Sequence, residues 1–159
     1  MSQTISLTLN GVRQQFAISL GETLLEVLRR EGLKSAKCGC DTGDCGACAV
    51  LVDGRAVNAC MLLAVAAAGC SVVTVEGLEQ DGHLHRLQEA LLDAGGVQCG
   101  FCTPGMVVAA LDLLSRNPHP TEAEVREGLA GNLCRCTGYV KPLDAILAAS
   151  AVDEEAHDD

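Results

Sequence analysis

The sequence predicts an α+β chain in two parts, a small sheet-and-helix domain followed by an all-α four-helix domain. Apolar residues alternate with period two in short runs up to about residue 77, then recur at helical spacing from about residue 82. Ten cysteines in 159 residues supply a second kind of order. Aromatics make up only 2% of the chain and Trp is missing, so the side chains that bury the most area are scarce. Two small cores of Ala, Val, Leu and Ile want an additional staple.

The first part opens as a β-hairpin. Ile5, Leu7 and Leu9 alternate, Asn10-Gly11 is a two-residue turn signal, and Phe16 and Ile18 alternate on the return. A helix follows, with Thr23 and Glu26 as a capping box, Leu24, Val27 and Leu28 on one face, and Gly32 as its stop. After a cysteine loop, AVLVDGRAVNAC reads as a second hairpin turning at Asp53-Gly54. A short apolar stretch over 61–68 leads to a strand over 71–77.

The second part begins with Leu84, Leu87, Leu91 and Leu92 at helical spacing. Thr103 and Pro104 read as N-cap and first residue of the next helix. Thr121 and Glu124 repeat the capping box for a third helix stopping at Gly131, and KPLDAILAAS makes a fourth with Pro142 in its first turn. The domains are therefore expected at 1–78 and 79–150, with an acidic tail over 151–159.

The opening MSQTISLTLNG has neither a basic nor an apolar signal-peptide region, so a cytoplasmic chain is expected. The longest apolar run, 59–69, is well short of the ~20 residues that span a bilayer, so no membrane insertion is expected. A net charge of −10 argues against nucleic-acid partners. In a reducing compartment ten cysteines point to metal rather than to disulfides.

Cys40, Cys45 and Cys48 fit C-x4-C-x2-C, with Cys60 after them. This is the plant-type ferredoxin spacing for a [2Fe–2S] cluster. Gly39, Gly43 and Gly46 let backbone N–H groups approach the sulfurs, and such bonds tune the reduction potential. Zinc sites usually show two short pairs instead; three thiols on one loop wrap a larger object. Cys99 and Cys102 in QCGFCTPG, with Cys134 and Cys136 in GNLCRCTGY, are ambiguous by themselves. Zinc and dithiol chemistry stay open there, while c-type haem fails because Thr103 follows Cys102.

Together CDTGDCGACAVLVDG…NAC, QCGFCTPGM and AGNLCRCTGY resemble the iron–sulfur small subunit of the molybdenum hydroxylases, the xanthine dehydrogenase/aldehyde oxidase group. The resemblance covers the chain to about residue 150. It implies a β-grasp, plant-type ferredoxin-like domain with a [2Fe–2S] cluster on Cys40, Cys45, Cys48 and Cys60. A second [2Fe–2S] cluster is implied in the four-helix domain, on Cys99, Cys102, Cys134 and Cys136. The resemblance also places Gln98 and Cys136 near the molybdopterin cofactor of a large partner subunit, with FAD on a medium subunit or an external acceptor at the other end of the path. The sequence departs from the usual pattern in the residues of GLKSAKCGC that precede the first ligand, at Ala49 and at Pro142, and none of these departures is at a ligand.

The bystanders are Cys38 and Cys70, the latter a small buried hydrophobe. His83, His85, His119 and His157 are expected at the surface or in caps, and Arg135 beside the second thiol set either raises its potential or meets a partner carboxylate. No nucleophile elbow, P-loop or dinucleotide fingerprint is present in the sequence, so no substrate-turnover site is expected on this chain. A free-standing two-cluster electron carrier is the alternative to a subunit, and a pair of structural zinc sites the third reading.

Overall fold

The computed structural model describes residues 2–151; beyond Ala151, the expected acidic tail lies outside the described residues. Strands β1 (Ser2–Leu9) and β2 (Val12–Ser19) form the first hairpin, paired Ile5 to Phe16 and Leu7 to Gln14. Asn10 and Gly11 both take positive φ, 48° and 81°, as a type I′ turn requires. Helix α1 (Leu24–Arg30) starts at Thr23, whose hydroxyl accepts the Glu26 N–H while Glu26 returns the bond to the Thr23 N–H. Strands β3 (Ala49–Val52) and β4 (Arg55–Asn58) turn at Asp53 and Gly54, again with positive φ. A 3₁₀ turn over Ala64–Ala67 occupies the short apolar stretch, and β5 (Ser71–Val73) closes a five-stranded sheet of order β2-β1-β5-β3-β4.

β5 runs parallel to β1 and antiparallel to β3. It is shorter than the predicted 71–77 strand, and the Asn10 side chain is the reason. The Thr74 N–H donates to Asn10 Oδ1 at 2.9 Å instead of to a strand, and Val75–Gly77 turns into a 3₁₀ helix. One face of the sheet buries Ile5, Leu7, Leu9, Phe16, Ile18, Val50 and Val72 against Leu24, Leu25, Val27 and Leu28 of α1. A helix clasped by a mixed sheet is the expected ferredoxin-like arrangement.

Four helices follow, α2 (Arg86–Asp93), α3 (Thr103–Arg116), α4 (Glu122–Gly128) and α5 (Val140–Ala151). Their core gathers Leu87, Met106, Ala110, Val125, Leu143 and Ile146. Three sequence expectations are corrected here. Leu84 and Leu92 are exposed, because α2 buries only Leu87 and Leu91. The N-cap of α3 is Cys102, so Thr103 is already helical and Pro104 stands second. α4 ends at Gly128 rather than Gly131, since Leu129 caps it and the Ala130 N–H bonds back three residues to Glu127 instead of continuing the four-residue ladder. His85 caps α2, its Nδ1 accepting the Leu87 N–H.

The two parts are packed together. Val75 and Leu78 pack with Leu91, Val107 and Ala145 of the helices. Arg55 of β4 reaches Asp112 of α3, Nε to Oδ1 2.9 Å, and Arg116 holds the other carboxylate oxygen at 3.0 Å. Asp112 is buried while both arginines are exposed. Among the described residues no helix is long and apolar enough to cross a membrane.

Candidate iron–sulfur centres

All ten cysteines are unbridged. Eight of them gather into two foursomes, and within each foursome the thiols stand in pairs. Cys40 meets Cys45 and Cys48 meets Cys60; Cys99 meets Cys136, Sγ to Sγ 3.6 Å, and Cys102 meets Cys134. Each foursome has an inner and an outer pair. Cys48 and Cys60 are buried under Cys40 and Cys45, which are half-buried; Cys102 and Cys134 lie deeper than the exposed Cys99 and Cys136.

The first foursome is shaped by backbone. The loop 38–48 is pinned by Lys37 N–H to Ala47 C=O, 2.9 Å, and by the Asn58 side chain donating to Gly43 C=O, 2.7 Å. N–H groups of Thr42 and Cys45 point at Cys40, that of Ala47 at Cys45 and that of Cys60 at Cys48. A Cβ on Gly39 would sit 2.8 Å from Cys45 Sγ, so only glycine leaves the thiol room. The Thr42 hydroxyl and amide bring the Cys40 pKa down to about 6, and burial pushes Cys48 up to about 12.

The second foursome is shaped by side chains. Burial acts to raise Cys134, but Thr137 outweighs it: its hydroxyl lies 3.1 Å from the sulfur and its N–H 3.4 Å, and the pKa falls to about 7. Tyr139 folds back so that its hydroxyl accepts the Cys134 N–H at 2.7 Å. Its backbone takes φ 66°, uncommon outside glycine. Cys102, at the start of α3, is pushed by burial up to about 12. The Phe101 N–H lowers Cys99, and its bond to Cys99 raises Cys136. Metal ligation requires thiolates, and in three pairs one thiol is poised to lose its proton more easily than its neighbour: Cys40 beside Cys45, Cys99 beside Cys136 and Cys134 beside Cys102.

Both donor sets fit a [2Fe–2S] cluster. Every donor is sulfur, the thiols come two by two, and N–H groups aim at the sulfurs. Among the described residues no three His, Cys, Asp or Glu converge as one metal ion demands, whereas a two-iron group takes one thiol pair on each metal. Cys38 stands apart from both sets, donating to the Asp41 carboxylate at 3.0 Å, and Cys70 is half-buried rather than core. Gln98, beside Cys99, is exposed.

The two foursomes are joined. The Leu133 N–H donates to Cys45 C=O at 2.9 Å, and the Asn132 side chain donates to Gly46 C=O at 3.1 Å. Lys37 also lies over the Phe101 ring, 5.8 Å to its centre. The sequence reading missed Asn132, Thr137, Tyr139 and the Arg55–Asp112 tie. The TGY run directly after the last thiol was the available signal for two of them.

Comparison with known proteins agrees with this geometry. Residues 7–71 match the family described as 2Fe-2S iron-sulfur cluster binding domain, and 74–147 the [2Fe-2S] binding domain. The nicotinate dehydrogenase small FeS subunit of Eubacterium barkeri is 47% identical over 87% of this chain and 88% of its own. The xanthine dehydrogenase iron-sulfur-binding subunit of Escherichia coli O157:H7 is 47% identical over 91% and 92%. Quinoline 2-oxidoreductase from Pseudomonas putida 86 superposes with TM-score 0.93 at 43% identity, covering 99% of both chains. The aldehyde oxidoreductase of Desulfovibrio gigas superposes with TM-score 0.92 at 40% identity over 98% of this chain and 18% of its own length. With two [2Fe–2S]-binding domains in this order and near-full-length relatives of this kind, the chain belongs to the iron–sulfur small subunits of the molybdenum hydroxylase family.

Proposed function

We propose that this chain is an electron-relay subunit holding one [2Fe–2S] cluster on Cys40, Cys45, Cys48 and Cys60 and a second on Cys99, Cys102, Cys134 and Cys136. The observation that carries the reading is the two-by-two pairing of the thiols in both foursomes. Each cluster supplies a carrier for a single electron. The chain's own residues hold the sulfurs, shield the inner pairs from water and aim N–H groups at them. The Cys45–Leu133 hydrogen bond gives the two sites a bonded connection.

The relay runs between a molybdopterin centre on a large partner subunit and either FAD on a medium subunit or an external acceptor. Resemblance to the family assigns Gln98 and Cys136 to the molybdopterin side, and both are exposed, as such a contact needs. The divisions 1–78 and 79–150 and a cytoplasmic location complete the proposal; unbridged cysteines suit a reducing compartment. Relatives named for xanthine, nicotinate and quinoline point to a purine or another N-heteroaromatic as the substrate of the complex, with aldehydes as a second class.

Purification with the partner subunits present tests both levels. Iron and acid-labile sulfide for two clusters, two distinct EPR signals on reduction, and co-elution with a molybdopterin-binding chain are expected. A colourless zinc protein defeats the cluster reading, and a stable monomer that ignores its partners defeats the subunit reading.

A further inference from the structure

We infer that Asn132 is a positioning residue for electron exchange between the two cluster sites: its side chain clamps the Gly46 carbonyl and so holds the Leu133 N–H against the Cys45 carbonyl. The inference rests on the two-cluster reading above. Asn132 is 5% exposed, and its amide nitrogen donates to Gly46 C=O at 3.1 Å across the boundary between the two parts of the chain. A carbonyl only accepts, so the amide's orientation is fixed. The next residue makes the 2.9 Å bond to Cys45, and the residue after that is Cys134. A continuous path of covalent bonds with one hydrogen bond therefore joins a thiol of each foursome. Electron tunnelling decays more steeply across a van der Waals gap than along bonds, so the length of that hydrogen bond matters.

Two glycines show that the approach is tighter than packing of side chains permits. A Cβ on Gly46 would lie 2.3 Å from the Gly131 carbonyl oxygen and 2.5 Å from Asn132 Nδ2; one on Gly105 would lie 2.2 Å from the Gly46 carbonyl oxygen. Gly105 sits in the first turn of α3, where glycine is a poor helix former. The Arg55–Asp112 pair also ties the two parts together, and neither residue belongs to a thiol loop. It is thus a control for packing without clamping. In the exchange one cluster loses an electron and the other gains it, with no further reactant.

The test uses the full chain with both clusters loaded. Two nearby paramagnets split each other's EPR lines, and electron equilibration after rapid partial reduction gives a rate. In Asn132→Leu the iron and sulfide content and both individual signals should persist, while the splitting narrows and equilibration slows. Arg55→Ala should lower thermal stability and leave splitting and rate unchanged. Intact clusters with unchanged splitting and rate in Asn132→Leu overturn the proposal, as does an equal loss of coupling in Arg55→Ala. Should Asn132→Leu lose a cluster, Gly105→Ala decides: its Cβ displaces the same carbonyl, and unchanged coupling there overturns the proposal too. A parent protein without two [2Fe–2S] clusters removes the relay reading and this inference together.

Discussion

The first thiol foursome takes three of its members from one glycine-rich loop, and backbone N–H groups reach its sulfurs, joined at Cys40 by the Thr42 hydroxyl. The second takes two from the turn leading into α3 and two from the loop before α5, and it depends on Thr137 and Tyr139. A site closed by local backbone can form once its loop is pinned by Lys37 and Asn58. A site assembled from two distant loops exists only when the helices that carry them are packed. The first is therefore constrained at Gly39, which tolerates no Cβ, and the Thr42 hydroxyl acts only on its half-buried outer pair. In the second the Thr137 hydroxyl acts on the deeper pair. Their joining at Cys45 and Leu133 makes the local site a wall of the assembled one.

The harshest way to break the comparison is to remove one ligand from each side. Cys60→Ser should abolish the first cluster's EPR signal and about half the iron and sulfide, leaving the second signal in place; Cys136→Ser should do the reverse. Cys60 is buried and Cys136 exposed, so the first variant should also lose more thermal stability. Loss of both signals from either substitution would contradict two independent foursomes.

A finer contrast lies in the bonds to sulfur. Thr137→Val removes a hydroxyl 3.1 Å from Cys134 while keeping side-chain shape and the Thr137 N–H. Hydrogen bonds to cluster sulfurs stabilise the more negative, reduced state. The second cluster's potential should fall, on the order of 60 mV if the bond is worth about 1.4 kcal/mol more after reduction. Thr42→Val, beside the partly exposed Cys40, should move the first cluster less. EPR-monitored redox titration reads both, and a larger shift at Thr42 would reverse the contrast.

Much of this was legible in the sequence because the signals were local. The Asn10-Gly11 and Asp53-Gly54 turns, the capping boxes at Thr23 and Thr121, and the x4-x2 thiol spacing are fixed by neighbours a few residues away. What escaped depends on residues far apart. β5 stops at Val73 because Asn10, sixty-four positions away in sequence, takes the Thr74 N–H. Leu84 and Leu92 satisfy a helical period, yet α2 is too short to bury both ends of the stripe. Gly131 looked like a helix stop, but its neighbourhood serves the contact with Gly46. The eight clustered thiols were visible as residues, whereas their inner and outer pairing is a property of packing.

The tie between the two parts offers a smaller effect. Asp112→Asn removes the charge that Arg55 and Arg116 share. Both arginines are exposed, so the cost should be about 1 kcal/mol, or roughly 2–4 °C in Tm. The EPR signals of both clusters should be unaltered. Damage to the second signal alone would mean that α3 leans on this pair to place Cys102.

The smallest effect separates the helix caps of the two parts by pH. His85 caps α2 through Nδ1, which accepts the Leu87 N–H at 3.2 Å, so only the neutral ring serves. Burial, helped by the Arg86 charge, holds its pKa below 6.5. A basic group whose folded pKa lies below its unfolded one contributes stability that is complete above 6.5 and is lost as pH falls below it. The Thr23 cap of α1 has no such group. Its box relies on Glu26, held below 4.5 by the Thr23 N–H and hydroxyl, so that contribution is complete above 4.5 and lost only at more acid pH. Between about pH 7 and about pH 5.5, α2 should therefore lose at most about 1 kcal/mol of capping while α1 loses none. Amide hydrogen exchange over Leu87–Ala90 against Val27–Arg30, corrected for intrinsic rates, measures the difference, and His85→Thr should flatten it. An equal response in the two helices would show that the α2 cap does not depend on the neutral imidazole, and that the helical domain is as indifferent to mild acid as the sheet domain beside it.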